Sequence, residues 1–338
     1  MSAKPARFSA GALAAQAPLL AALDEALEGG ASALDPSVPD AVWQRALVEP
    51  ATLFLARPGK DLRARLVAAG FALGGGIGEV PPAIPRTLEL LHAGSLIVDD
   101  VEDQSAERRG APALHHLIGE PLAINTGSWM YFWALAELAR LALPGAVELA
   151  IAALVKCHQG QALDLATRIV DLDVREVPAV VAATTRLKTG ALCRLAVELG
   201  ALAAGARANR RAAIGDLGEL AGCALQMLDD LGCVIAEERR HKAHEDLRAA
   251  RPTWTWAWLA STCDPFAWAR FVSLARATLN GADPSVLAHA FGERIEEIGR
   301  AQIRETLAHA VAAVRGFAPQ FVVEHVAAEL RRMEGMYG

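Results

Sequence analysis

Aromatic residues make up only 5% of this 338-residue chain, with two tyrosines among them. Strands are stocked with aromatic and β-branched side chains, so this scarcity argues against a β-rich fold. Cysteines number five (Cys157, Cys193, Cys223, Cys233 and Cys263), an odd count at no metal-ligand spacing. A disulfide scaffold is excluded, and reduced thiols in a cytoplasmic protein are the plain reading. No apolar run reaches the length of a membrane span without a charge or a breaker, so no integral membrane protein is expected. The N-terminus, Met-Ser-Ala-Lys-Pro-Ala-Arg-Phe, lacks a signal-peptide apolar core. The net charge of −6 is spread along the chain, with no polybasic footprint for nucleic acid. What is abundant is hydrophobic content, 53% of residues and chiefly Ala and Leu, which favours a helical protein with a sizeable core. Length alone allows one large domain or two.

The most informative stretch runs His92-Ala-Gly-Ser-Leu-Ile-Val-Asp99-Asp100-Val-Glu-Asp103-Gln-Ser-Ala-Glu-Arg108-Arg109-Gly110. Four acidic side chains fall within five positions after an apolar helical run. On a helix, Asp99 and Asp103 share a face with Asp100 beside them. Their mutual repulsion needs cations, and oxygen-only carboxylates suit Mg²⁺, which commonly bridges to substrate phosphates. Arg108 and Arg109 supply forked donors for phosphate oxygens. Leu88, His92, Ser95, Asp99 and Asp103 lie on one helical stripe between Ile84 and Asp103, passing from apolar to small to acidic. A core helix would stay apolar; this gradient suits one lining a pocket with a greasy floor and a metal-binding mouth. His92 by itself reads either as a core histidine or as a ligand.

Elsewhere the pattern is helical throughout, with no strand alternation and no short repeat. Helices are expected over 9–28, 40–55, from the Pro58-Gly59 turn to Gly74, over 123–142, after Pro144 to about Arg168, over 179–205 with a kink at Lys188-Thr189-Gly190, over 210–236, and as three or four more in 265–337. Lys60 and Arg63 stand one turn apart at a helix start that favours an anion, although a solvated basic face explains them equally. Gln226-Met-Leu-Asp229-Asp230-Leu-Gly-Cys233 carries a second acidic pair after an apolar run. The charged run from Glu237 to Arg251 reads, taken alone, as a solvated loop, and Trp254, Trp256, Trp258 and Trp268 read as packing anchors.

Leu91-His-Ala-Gly-Ser-Leu-Ile-Val-Asp-Asp-Val-Glu-Asp103, followed by Arg108-Arg109-Gly110, Pro112 and His115, resembles the first aspartate-rich motif of the polyprenyl synthetase family, the trans-isoprenyl diphosphate synthases. Gly59-Lys60-x-x-Arg63, Ile124-Asn125-x-Gly127, Gly160-Gln161-x-x-Asp164, Lys188-Thr189-Gly190 and Gln226-x-x-Asp229-Asp230 resemble further family elements in order. The resemblance implies one all-α isoprenoid synthase domain over residues 1–338, a helical bundle around a deep cavity, and a homodimer. It implies condensation of an allylic prenyl diphosphate with isopentenyl diphosphate, with two or three Mg²⁺ ions held by Asp99, Asp100 and Asp103 from one side and by Asp229 and Asp230 from the other. By the same resemblance Arg108, Lys188, Thr189, Gln226 and Lys242 contact the allylic diphosphate. Gly59, Lys60, Arg63, His92 and Arg109 contact isopentenyl diphosphate. The catalytic set is then Asp99, Asp100, Asp103, Arg108, Lys188, Asp229 and Asp230.

Chain length in that family is set beneath the first motif. Gly94 and Ser95 are small, so a floor open at that level and a product longer than farnesyl, geranylgeranyl first, are expected. Met130, Tyr131, Phe132 or Trp133 would close the tunnel lower down. Two departures stand out: Cys233 replaces the third aspartate of the second motif, and Lys242-Ala-His244-Glu-Asp246-Leu247 and Arg251 differ from the family pattern. Thiol is a poor Mg²⁺ ligand. A class I terpene cyclase is the competing enzyme reading, opposed by Lys60, Arg63, His92 and Arg109, which such an enzyme would not need. A non-catalytic regulatory subunit is opposed by the intact Asp99-Asp100-x-x-Asp103.

Overall fold

The computed structural model describes residues 19–21, 23, 34–59, 61–235 and 240–337. Contacts divide the chain into two compact units, Met1–Ala150 with Leu199–Ala206, and Ile151–Glu198 with Arg207–Gly338. The helix expected over 9–28 lies mostly outside the described residues, and so do Lys60 and the side chain of Lys242.

In the first unit, α1 (Asp40–Trp43) passes through a π-helical turn at Gln44–Val48 into α2 (Glu49–Leu55). Next come α3 (Leu62–Gly74) and α4 (Ala83–Glu102). Gly75 stops α3 in the left-handed conformation at φ 95°, where only glycine sits without strain. Pro81 and Pro82 set the start of α4, which buries Ile84, Leu88, Leu91 and Ile97 along one side and leaves Glu102 at the surface. A two-stranded antiparallel hairpin follows, β1 (Glu107–Arg108) and β2 (Ala111–Pro112). No strand was expected here. Two residues per strand are too short to leave a period-2 pattern, and the turn residues Arg109 and Gly110, at φ 55° and 74°, make the reversal.

Beyond a short α5 (Leu114–Ile118), α6 (Glu120–Arg140) packs along α4. The two backbones touch at Gly94 and Gly127: a Cβ on Gly94 would stand 2.6 Å from the Gly127 carbonyl oxygen, and one on Gly127 2.9 Å from that of Gly94. Arg86 on α4 closes the far end of this contact on Glu137 of α6 at 2.7 Å.

The helix α7 (Ala146–Ala166) leads into the second unit, followed by a 3-10 turn (Ile169–Asp171) and α8 (Val177–Thr185). The kink expected at Lys188-Thr189-Gly190 is a π-helical segment, Arg186–Gly190, joining α8 to α9 (Ala191–Ala203). Then come α10 (Ala208–Ile235), α11 (Arg240–Ala249), α12 (Trp254–Thr262), α13 (Pro265–Leu279), α14 (Ser285–Ala313) and α15 (Gln320–Tyr337). The charged run read as a solvated loop is therefore helical from Arg240 to Ala249. Its Arg, Lys, Ala, Glu and Leu are good helix formers, and Leu247 anchors it in the core. The core of this unit gathers Met227, Leu231, Cys233, Trp254, Trp256, Trp258, Phe271 and Phe291. Trp256 meets Phe291 edge-on at 4.8 Å, and the Trp258 indole N–H donates to Gln302 Oε1 at 2.7 Å.

Candidate functional site

In the first unit, the C-terminal end of α4 presents the acid cluster. Asp99 is half-buried, Asp100 fully buried, and Asp103 exposed at the helix C-cap, where its N–H donates to the Asp99 carbonyl at 2.8 Å. Arg108, on β1, donates through Nε to Asp100 Oδ1 at 2.7 Å and pairs with the same oxygen through Nη2. Its Nη2 lies 3.7 Å from Asp99 Oδ2. Burial raises the Asp100 pKa, and the bond and charge of Arg108 pull it back. On Arg108, burial acts downward, but the bond to Asp100 and the charges of Asp100, Asp99 and Asp103 outweigh it, so the guanidinium is held more firmly protonated.

The hairpin sends the neighbouring arginine elsewhere. Arg109 Nη1 donates to the Arg57 carbonyl at 3.3 Å, and its guanidinium lies 5.5 Å from the Phe54 ring centre, as does that of Arg57. Arg57 is itself fixed by Nε donating to Leu53 O at 3.1 Å and Nη1 to Arg108 O at 3.2 Å. The Arg109 fork spans Gly59, where an added Cβ would meet it at 3.7 Å. Arg57, Gly59, Asp61, Glu89 and Arg109 line a cavity whose apolar wall includes Leu55 and Ala93. His92 is driven well below its usual pKa by burial and then by the charges of Arg63, Arg109 and Arg108, so its imidazole is neutral. A neutral imidazole among guanidinium groups can still donate one N–H to an anion.

In the second unit, the residues marked out by the sequence form two hydrogen-bonded sets, one around Asp164 and one around Asp230. Lys188 Nζ pairs with Asp164 Oδ2 at 2.7 Å, and Arg251 donates to the Asp164 carbonyl. Gly160 makes this possible: a Cβ there would stand 2.8 Å from the Lys188 backbone nitrogen. Thr189 Oγ1 donates to Gln226 Oε1 at 2.9 Å, and Gln226 Nε2 donates to Asp230 Oδ1 at 2.8 Å. The other oxygen of Asp230 accepts from the Trp254 backbone N–H at 2.8 Å, and the Trp254 indole donates to Thr185 Oγ1 at 2.9 Å. Burial raises the Asp230 pKa to about 7; the Trp254 and Gln226 bonds oppose this, and Asp229 and Asp164 add to it. Asp229, one residue earlier, is half-buried.

Among the described residues, no three His, Cys, Asp or Glu side chains converge to hold a metal ion by themselves. Within the first unit, Asp99 and Asp103 offer the oxygen donors that Mg²⁺ prefers, and Asp229 offers one in the second; Mg²⁺ takes one or two carboxylates and completes its shell with water and phosphate oxygens. Asp100 and Asp230, also expected among the metal ligands, are buried and engage the protein's own donors, Arg108 in one case and Gln226 and Trp254 in the other. Cys233 belongs to the apolar core and is 5% exposed.

The residues expected to set chain length stand as follows. The smallness of Gly94 serves the contact with α6, where an added Cβ would also press on Met130 at 3.2 Å and Tyr131 at 3.5 Å. Phe132 is 71% exposed, whereas Met130 and Trp133 are buried. Ser95 Oγ donates to the His92 carbonyl at 2.8 Å. The sequence reading missed Arg57, Asp61 and Glu89 in the arginine-lined cavity and gave Asp164 no role. Glu89 had a signal, since it stands three residues before His92 and shares its face of α4.

The polyprenyl synthetase family profile matches residues 44–274. The geranylgeranyl pyrophosphate synthase of Mucor circinelloides f. lusitanicus is 38% identical over 120 residues, 35% of this chain and 39% of the relative. Geranylgeranyl pyrophosphate synthase 2 of Zymoseptoria tritici is 34% identical over 191 residues, 55% of each chain. The chain thus spans about half the length of the curated relatives it matches. Among solved structures, a decaprenyl diphosphate synthase from Rhodobacter capsulatus superposes with a TM-score of 0.76 at 20% identity, covering 97% of this chain and 98% of that one. A geranylgeranyl pyrophosphate synthetase from Pyrococcus horikoshii Ot3 gives 0.70 at 20% identity, covering 94% and 98%. The all-helical architecture is therefore that of the isoprenoid synthases.

Proposed function

The chain belongs to the polyprenyl synthetase family, and we propose that it is a Mg²⁺-dependent prenyltransferase that extends an allylic prenyl diphosphate with isopentenyl diphosphate. The observation that carries this reading is the divergence of Arg108 and Arg109. One arginine serves the acid cluster and its neighbour lines a second cavity with Gly59 and Glu89, and its charge also acts on His92, which supports two separate diphosphate positions. A terpene cyclase ionises a single diphosphate and has no use for the second.

In the proposed reaction the allylic C–O bond breaks and its electron pair leaves with diphosphate. The double bond of isopentenyl diphosphate then attacks the allylic carbon, and loss of a proton leaves a longer trans-prenyl diphosphate. We assign Arg63, His92 and Arg109 to the isopentenyl diphosphate. Arg108, Lys188, Thr189 and Gln226 are assigned to the allylic diphosphate, with Lys188 held ready by Asp164. Asp99, Asp103 and Asp229 would hold Mg²⁺, which supplies charge neutralisation for the departing diphosphate. The released diphosphate takes the proton, so no protein base is assigned.

We expect a product longer than farnesyl, geranylgeranyl first, with Ser95 and Tyr131 as the positions to vary. A homodimer is supported by Ile124 and Phe132, 44% and 71% exposed at a spacing that puts both on one face of α6. Five cysteines outside any disulfide support a cytoplasmic setting, and no helix among the described residues is long and apolar enough to cross a membrane. The test is incubation of the purified protein with labelled isopentenyl diphosphate, farnesyl diphosphate and Mg²⁺, followed by chromatography. Elongated diphosphates are expected; a released hydrocarbon or no product beyond fifteen carbons contradicts the assignment.

A further inference from the structure

We propose that Glu89 is a positioning residue of the arginine-lined cavity, a buried counter-ion that fixes Arg63 and Arg109 for the incoming diphosphate; this rests on the assignment of that cavity to isopentenyl diphosphate. Glu89 stands on α4 one turn before His92 and lines the same cavity as Gly59, Asp61 and Arg109. Its Oε1 is buried with no hydrogen-bond partner among the described residues, and so is the Nε of Arg63. The favourable charges acting on it are those of Arg63 first and Arg109 second, opposed by Asp61, while burial raises its pKa.

The cavity has a problem that Glu89 answers. Arg57 and Arg109 both lie 5.5 Å from the Phe54 ring centre, and burial weakens the hold of Arg109 on its proton; the charge of Glu89 is the largest effect opposing this, against those of Arg63, Arg108 and Arg57. Crowded guanidinium forks repel, and without an anion nothing fixes their planes. A single carboxylate whose charge draws on both Arg63 and Arg109 sets their orientation before substrate arrives, which lowers the ordering cost of binding. A carboxylate beside an anion site also repels the anion. The two effects have opposite signs, so the neutral isostere tells them apart: charge alone makes Glu89→Gln bind diphosphate more tightly, and positioning makes it bind more weakly.

The experiment compares wild type, Glu89→Gln and Glu89→Asp in steady-state elongation, varying each substrate in turn, and adds calorimetric titration of each protein with inorganic pyrophosphate in EDTA. With Glu89→Gln we expect KM for isopentenyl diphosphate to rise about tenfold, the size of one lost charge-assisted contact. KM for the allylic diphosphate and kcat should stay within about twofold, and Glu89→Asp should recover part of the loss. An unchanged or lowered KM for isopentenyl diphosphate, or a parallel rise of both KM values, overturns the proposal. The pyrophosphate titration needs no turnover. If wild type does not elongate, the functional reading fails, while about tenfold weaker pyrophosphate binding by Glu89→Gln still sustains the positioning role, and equal or tighter binding ends it. Should Glu89→Gln not fold, Glu89→Asp carries the comparison, with about threefold weaker binding expected and no weakening overturning the proposal.

Discussion

The two acidic pairs of this protein share a pattern and differ in what holds them. Each follows an apolar run on a long helix, α4 or α10, and in each the first aspartate is half-buried and the second buried. Asp100 is held by a guanidinium, so charge meets charge. Asp230 is held by two neutral donors, the Gln226 amide and the Trp254 N–H, and its pKa rises to about 7. The following turn differs as well. Helix α4 ends at Glu102 and leaves Asp103 exposed, whereas α10 continues to Ile235 and turns Cys233 into the core. The same dipeptide thus has two accessible carboxylates in its neighbourhood in one unit and one in the other.

This asymmetry can be broken by substitution. Asp229→Ala removes the one half-exposed carboxylate of its pair and should lower the elongation rate by about 10³-fold. Asp99→Ala leaves Asp103 in place and should lower it by about 10²-fold. Steady-state rates in saturating Mg²⁺ measure both, and a reversed order contradicts the division of carboxylates drawn here.

Next in size is Cys233→Asp. If the position faced an ion, the added carboxylate would raise Mg²⁺ affinity. Because it lies among Met227, Leu231 and Trp254, we expect about 3 kcal/mol of lost stability and an unchanged Mg²⁺ dependence of the rate. Denaturant unfolding and a Mg²⁺ titration of activity decide between the two.

The smallest effect is one of pH. The folded pKa of Asp230, about 7, lies above the ordinary carboxylate value of about 3.9. Its contribution therefore favours the folded state below about pH 4 and is lost as pH rises through about 7. In EDTA, the melting temperature of wild type should fall relative to that of Asp230→Asn by a few degrees between about pH 4 and 7. Parallel curves would remove the raised pKa from the account.

Much of this was legible before any coordinates. Pro81-Pro82, Pro144 and the Gly74-Gly75-Gly76 stop punctuate the chain strongly enough to place the helices, and Lys188-Thr189-Gly190 marked the π-helical segment. The acid clusters were visible because charge after an apolar run is locally conspicuous. What stayed hidden depends on contacts between distant residues. Nothing local marks Gly94 as a helix-contact glycine; only the Gly127 carbonyl, more than thirty residues on, shows it. Asp100 and Asp230 look like their exposed neighbours until Arg108 and Trp254 are placed beside them. Cys233 read as a lost ligand because the register of its helix around the core is set by residues such as Trp254 and Phe291, far along the chain.

The most direct test of the contrast between the two pairs is the equilibrium unfolding of Asp100→Asn and Asp230→Asn, side by side, near pH 7 in EDTA. Asp100→Asn removes the close, buried partner of Arg108, leaving the longer pairing to Asp99 at 3.7 Å, and should lose about 3 kcal/mol. Asp230→Asn replaces a carboxyl that is about half ionised near pH 7 with a neutral amide, which Gln226 can meet by turning its own amide over, and should lose about 1 kcal/mol or less. Equal losses, or a larger one at Asp230, would contradict the claim that one pair is built on an ion pair and the other on neutral dipoles.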